Sequence, residues 1–280
     1  MKRFLTLVMA LLLCVLPLCA CSASGNFTKF TILEENFGDE LYAIGFRKGD
    51  VALMLKVQET LEAMYADGKA AEISTKWFGS DKLLKDQAFP NDTTAAEGDT
   101  SLQYILDKGT FILGLDPAFP PMGYTDETTG DLVGFDIDLA REVCARLGVE
   151  LVLQPIDWNA KEMELAGKNI DCIWNGFSVN DERIAALTLS KPYLANAQII
   201  MVPEGSAIKT KADLAGKTIG LQAGSSAYEA VAADAISAQI GKIEEYADNL
   251  SAFMDLKAGR IDAFVVDRVV GEYMLTSDAD

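Results

Sequence analysis

Arg183, Asp116, Asp267 and the Gly224-Ser225-Ser226 step are the positions whose residue types and settings suit a small charged molecule. An arginine presents a planar fork that takes both oxygens of a carboxylate at once, and Arg183 stands just inside a helix that Asn180 would cap. Ser225 and Ser226 follow Gly224 at a second expected helix start, where hydroxyls and free backbone N–H groups favour an anion. Asp267, at the carboxyl end of an expected strand, and Asp116, before Pro117, supply the opposite charge. Each also has a plainer structural reading: a solvated helix arginine, an N-cap serine, a cap or turn aspartate. The chain contains no histidine, so the commonest general base and metal ligand is missing, and no separate acid–base pair stands out. These residues suit binding better than bond breaking, and neither a metal nor a cofactor is expected.

The elements that must position them alternate. A β-type run at 110–115 precedes a helix at 136–147 with Leu139, Ala140, Val143, Cys144 and Leu147 on one face, stopped by Gly148. Short strands follow at 149–153, 170–174, 198–202, 217–221 and 261–266, with helical patterns after Asn180, Ser226 and Ser251. Such alternation implies an α/β fold with mostly parallel sheets covered by helices. Before it lie two short strands, 30–33 and 41–46. A helix after Asp50 follows, with Met54, Val57, Leu61 and Met64 on one face, then a shorter helix running to Trp77-Phe78-Gly79. That opening part is too small for its own core. The stretch 80–100 is rich in Gly, Asp, Thr and Ala without apolar periodicity, and reads as a linker.

Acidic residues outnumber basic ones by 42 to 24, so a nucleic-acid backbone would be repelled and is not an expected partner. Met1-Lys2-Arg3 and the apolar run after it read as a secretory signal spanning 1–20, and Leu18-Cys19-Ala20-Cys21 resembles a bacterial lipobox. That resemblance implies a diacylglycerol on Cys21 and an extracytoplasmic protein anchored to the cell membrane. Cys144 and Cys172 sit at apolar-patterned positions without metal-ligand spacing and are expected as buried thiols.

Gly134-Phe135-Asp136-Ile137-Asp138-Leu139-Ala140 is similar to the signature of bacterial extracellular solute-binding proteins of the polar amino-acid class, the receptors of ABC importers. The resemblance runs on through Asp116-Pro117-Ala118-Phe119-Pro120-Pro121-Met122 and Asn175-Gly176-Phe177-Ser178-Val179-Asn180-Asp181-Glu182-Arg183. It continues in Ser190-Lys191-Pro192-Tyr193, Gln222-Ala223-Gly224-Ser225-Ser226 and Asp262-Ala263-Phe264-Val265-Val266-Asp267. It implies a periplasmic-binding-protein-like fold, with two lobes joined by two crossover strands and a free amino acid enclosed between them. In that family the segment resembling Tyr42-Ala43-Ile44-Gly45-Phe46-Arg47-Lys48-Gly49-Asp50 closes the chain, whereas here it comes first. The order looks circularly permuted. Lobe 1 would then be 38–79 plus 101–193, lobe 2 would be 26–37 plus 194–280, and 80–100 would join the old ends; a slice of a tandem array is the alternative.

The resemblance also implies roles. Arg183 would hold the ligand carboxylate with Ser225 and Ser226, Asp267 would receive the ammonium, and Phe119 would lie against the aliphatic part. The Gly176 carbonyl and the Ser178 hydroxyl would add contacts. A carboxylate at Asp116 favours a polar, non-acidic ligand, and Trp158, Trp174 and Asn175 are candidates for the side-chain pocket. The expected activity is binding by a monomer and delivery to an ABC permease, not catalysis; an amino-acid-related dehydratase on the same fold is the competing reading.

Overall fold

The computed structural model describes residues 26–277, so the expected signal segment 1–20 and Cys21 lie outside the described residues. Strand β1 (Phe30–Arg47) leads into helices α1 (Val51–Asp67) and α2 (Lys69–Phe78). After 80–100 come α3 (Ser101–Lys108), β2 (Thr110–Leu115), the short strands β3 (Ala118–Phe119), β4 (Gly123–Thr125) and β5 (Leu132–Val133), and α4 (Phe135–Leu147). The chain continues through β6 (Glu150–Pro155), α5 (Lys161–Ala166), β7 (Cys172–Ser178), α6 (Asp181–Ala186), β8 (Leu187–Leu189) and β9 (Leu194–Pro203). It ends with β10 (Thr218–Gln222), α7 (Ser226–Ala233), β11 (Lys242–Tyr246), α8 (Asn249–Lys257), β12 (Ala263–Asp267) and α9 (Arg268–Ser277).

One sheet runs in the order β11-β10-β12-β9-β1-β7-β2-β6, with β8 also paired to β1. Within each half the neighbours are parallel: β6, β2 and β7 in lobe 1, and β11, β10 and β12 in lobe 2. The middle is antiparallel, where β9 and β1 lie side by side and pass from one half to the other. Asp116 follows β2, and Ser178, Gln222 and Asp267 are the last residues of β7, β10 and β12. The carboxyl ends of parallel strands are where open α/β sheets place their ligands, so strand direction alone brings these residues to one crevice.

Two expectations need correction. Segments 30–33 and 41–46 are not separate strands, because the polar residues between them stay extended: Asn36 and Asp39 pair with Ile199 and Ala197 of β9, with slips of register on either side of Asn36. Nor is 80–100 a free tether. Leu84 N–H donates to Tyr193 O (2.8 Å), and Asn91 donates to the Ile184 and Leu187 carbonyls (2.6 and 3.1 Å) while accepting from Leu189 N–H (2.9 Å). Its composition withholds regular structure, but its side chains still find partners on lobe 1.

Helix α1 completes that lobe. It packs on α2, α3 and α4, burying Leu53, Met54, Val57, Leu61 and Met64 in the same core as Leu139 and Val143 of α4. Each such side chain contributes roughly 1.5–3 kcal/mol through burial. Buried Asp171 ties the opening segment to the rest, receiving Lys108 at 2.6 Å and Arg47 of β1 at 3.6 Å. Cys144 and Cys172 are buried, unbridged thiols.

Candidate functional site

The crevice is closed. Lobe 1 lines it with Phe119, Trp158, Gly176, Ser178 and Arg183, and lobe 2 with Gln222, Ser225, Ser226 and Asp267, and the cavity left between them is only about 10 Å³. Hydrogen bonds cross it: Ser178 and Ser226 hydroxyls lie 3.0 Å apart, Lys161 Nζ donates to Gly224 O (2.9 Å), and Asn180 Nδ2 donates to Glu229 (2.5 Å).

Arg183 is held from below. Asn180 caps α6 by accepting from the Arg183 backbone N–H (2.8 Å), the guanidinium lies 4.1 Å over the Phe177 ring, and Nη1 donates to Ser178 O (2.7 Å). Among the described residues that is its one side-chain hydrogen bond, which leaves the rest of a five-donor fork for an anion. Burial lowers its pKa, with nearby Glu229, Glu162, Glu40 and Asp267 pulling the other way, and a guanidinium stays charged throughout. Opposite it, Ser225 does not cap α7 with its side chain; its hydroxyl donates to Gln222 O instead (2.7 Å). The first turn of α7 thus faces the crevice without a side-chain cap from Ser225.

Gly176 must be glycine. Its φ is +59°, and a Cβ there would come within 2.6 Å of the Phe119 ring and 3.1 Å of Tyr42. Its N–H is anchored by Asp136 (2.8 Å), which also accepts from Tyr193 OH (2.9 Å); burial pushes the Asp136 carboxyl up to about 7.

The carboxylates sit apart. Asp267, 4 % exposed, accepts from Tyr42 OH (2.5 Å) and Asn196 Nδ2 (2.7 Å). Burial first, and then the charge of Glu40, raise its pKa to about 7. Asp116 lies behind the cavity wall, accepting from Ala118 N–H (2.8 Å) in a turn and from Gln222 Nε2 (2.6 Å). Burial raises it to about 6. The turn role and the link to the site therefore hold together, with Gln222 between Asp116 and the cavity.

Arg183, Ser178, Gly176, Phe119, Ser225, Ser226, Asp267 and Trp158 converge as the sequence suggests. Trp174 and Asn175 do not line the cavity. The Trp174 ring is fully buried against Tyr193, 6.5 Å between centroids, and Asn175 Oδ1 accepts from Asp116 N–H (2.9 Å). Alternation along β7 puts Asn175 on the face opposite Gly176 and Ser178, whereas Trp174 shares their face but lies deeper along the strand, in the lobe 1 core. Sequence reading missed Glu40, Tyr42, Asn196 and Gln198. Their i, i+2 spacing on two strands was the available signal.

Two α/β lobes closed on a polar cavity at their strand ends are the build of the periplasmic binding proteins. The chain belongs to the bacterial extracellular solute-binding proteins, family 3, whose sequence model matches residues 111–256. It is 32% identical over 170 residues to the L-cystine-binding protein TcyJ of Escherichia coli (strain K12), covering 60% of this chain and 62% of that one. It is 35% identical over 162 residues to the lysine/arginine/ornithine-binding periplasmic protein of the same strain, covering 57% and 61%. The chain thus spans about three-fifths of the length of these relatives. Among solved structures it resembles an ABC uptake transporter substrate-binding protein from Streptococcus pneumoniae with bound histidine (TM-score 0.63, 37% identity, 66% of this chain and 76% of that one). It also resembles the arginine-bound form of truncated ArgBP from T. maritima (TM-score 0.59, 34% identity, 64% and 82%).

Proposed function

We propose that this protein binds a free polar, non-acidic amino acid outside the cytoplasm and delivers it to an ABC importer. The observation that carries the reading is the pairing, in one closed interlobe cavity, of a largely unused arginine fork and a helix start with the buried carboxylate of Asp267. A zwitterion enclosed there needs both, because an unpaired buried charge costs several kcal/mol. Arg183, with Ser225 and Ser226, takes the ligand carboxylate. Asp267, the Gly176 carbonyl and Ser178 take the ammonium, Phe119 and Trp158 wall the aliphatic part, and Asp116 biases the far end against acidic side chains through Gln222. The names of the relatives, which include binders of cystine, arginine and histidine, agree with this class. An enzymatic reading has less support: a neighbour tied to dehydratase ancestry is itself described as an amino acid-binding protein.

We further read the chain order as a circular permutation and Cys21 as a lipid anchor. In support of the first, β1, α1 and α2 precede the family-matched stretch, yet β1 pairs with β7, β8 and β9 in the middle of the sheet.

Calorimetric titration of the exported protein with each common amino acid and with cystine tests the function. Tight binding of at least one polar, non-acidic amino acid is expected, with a loss of about 2–5 kcal/mol in Arg183→Ala. Binding of none refutes the reading, and turnover of prephenate or arogenate replaces it with the enzymatic one.

A further inference from the structure

Glu40, halfway along β1, has a role in the cleft that its place outside the family-matched residues hides. Its Oε2 accepts from Ser178 Oγ, Asn196 Nδ2 and Gln198 Nε2, each at 2.9 Å. Gln198 Nε2 also donates to Ser226 Oγ (3.2 Å), and Ser226 Oγ meets Ser178 Oγ (3.0 Å). These contacts close a ring through lobe 1, lobe 2 and both crossover strands.

The charge of Glu40 sets the ring's direction. A carboxylate only accepts, so Ser178 spends its single proton on Glu40. The Gln198 amide donates on both sides, and the Ser226 proton is left to bridge to Ser178. Ser178 Oγ therefore accepts from the direction of the cleft, as an acceptor for an ammonium must. Asn196 Nδ2, shared between Glu40 and Asp267 (2.9 and 2.7 Å), sets the two carboxylates side by side.

Resting on the amino-acid-receptor reading, we propose that Glu40 is a positioning residue of the site: it orients the Ser178 hydroxyl toward the ligand ammonium and stands beside Asp267 so that the ammonium's arrival expels the Asp267 proton. Buried beside the charge of Glu40, Asp267 does not ionise readily in a closed cleft until a cation joins it. The groups around them fit that sequence. Tyr42 of β1 donates to Asp267, Asn196 and Gln198 of β9 are neutral, and Arg183 of α6 is the cation whose charge Glu40 and Asp267 both reach. On the lobe 2 side Glu229 of α7 is bonded to Asn180, and Arg268, next after Asp267, is tied to Glu272 at 3.6 Å.

The test is titration of the wild type, Glu40→Gln and Glu40→Asp with L-arginine, L-histidine and L-cystine at pH 7, in two buffers of different ionisation enthalpy. With Asp267 near pH 7 in the empty cleft, the wild type should release about half a proton on binding. In Glu40→Gln the release should fall measurably, because the neighbouring charge no longer raises Asp267 although burial still does, and affinity should drop roughly tenfold as the ring loses its direction. Glu40→Asp keeps the charge, so it should restore proton release while remaining weakened by its shorter reach. Unchanged affinity and proton count in Glu40→Gln overturn the proposal. Should that variant fail to fold, Glu40→Asp decides: retained release with weaker binding supports the role, and wild-type behaviour in both refutes it. Absence of binding by the wild type to all three ligands would refute the receptor reading first.

Discussion

The two crossover strands lie side by side yet are built differently. β9 is ten residues long and buried at every position but Ala195. Its apolar side chains join two cores, and its two amides, Asn196 and Gln198, face the cleft carboxylates. β1 has eighteen residues, and only 42–46 are as buried; its middle slips register around Asn36 and turns through Gly38 at φ +132°. The regular strand supplies neutral donors. The irregular one supplies the charge and the phenol, Glu40 and Tyr42. Continuous pairing with both lobes lets β1 carry functional groups without an apolar stripe along its whole length, because its backbone bonds hold it extended.

The most severe way to break this comparison is to remove 26–50. That would leave β7, β8 and β9 with unpaired edges and Asp267 without Tyr42, so the remainder should lose its cooperative thermal transition, read by circular dichroism. A retained sharp transition would make β1 dispensable.

A pH series sharpens it next. Asp267 has a folded pKa of about 7, far above the unfolded carboxylate value, so between the two the folded state holds a proton that the unfolded state lacks. This residue's contribution to stability is greatest at low pH and is lost as pH rises toward 7, at up to about 1.4 kcal/mol per pH unit. The difference in melting temperature between the ligand-free wild type and Asp267→Asn should therefore widen from pH 4 to pH 7 in favour of the variant and then level off. A difference independent of pH would mean that Asp267 stays ionised.

Tyr42→Phe and Asn196→Ala each remove one donor to Asp267, one from each strand. Both should destabilise the fold, Tyr42→Phe by about 1.5–3 kcal/mol because its acceptor is buried and ionisable. Denaturant unfolding would measure this, and equal and small effects would show that water replaces either donor. The smallest effect is expected at Gly38→Ala. A side chain meets no neighbour there, so only the backbone conformation opposes it, at about 1–2 kcal/mol. A neutral result would mean that β1 straightens without cost.

Much of this was legible in advance. The helix at 135–147 shows its buried face through Leu139, Val143 and Cys144, and Arg183 sits behind its Asn180 cap as the sequence indicates. The strand at 110–115 is found where its β-type run lies. The limits were of reach and of face. Trp174 resembled a pocket residue because it shares a side of β7 with Gly176 and Ser178, and periodicity does not tell how far along that side the cleft reaches. The stretch 80–100 looked free because its partners, Ile184, Leu187 and Leu189, lie far along the chain.

By itself, the sequence determined the α/β class, the family motifs and the kinds of charge available to a ligand, since periodicity, caps and residue chemistry are local properties. Only the tertiary structure decided that β1 lies in the middle of the sheet, that Asp116 is bonded by Gln222 behind the cavity wall, and that Glu40 and Asp267 share the Asn196 amide. Those facts depend on strand direction, register and burial, which arise from pairings between residues as distant as Tyr42 and Asp267 and leave no mark on any short stretch of chain.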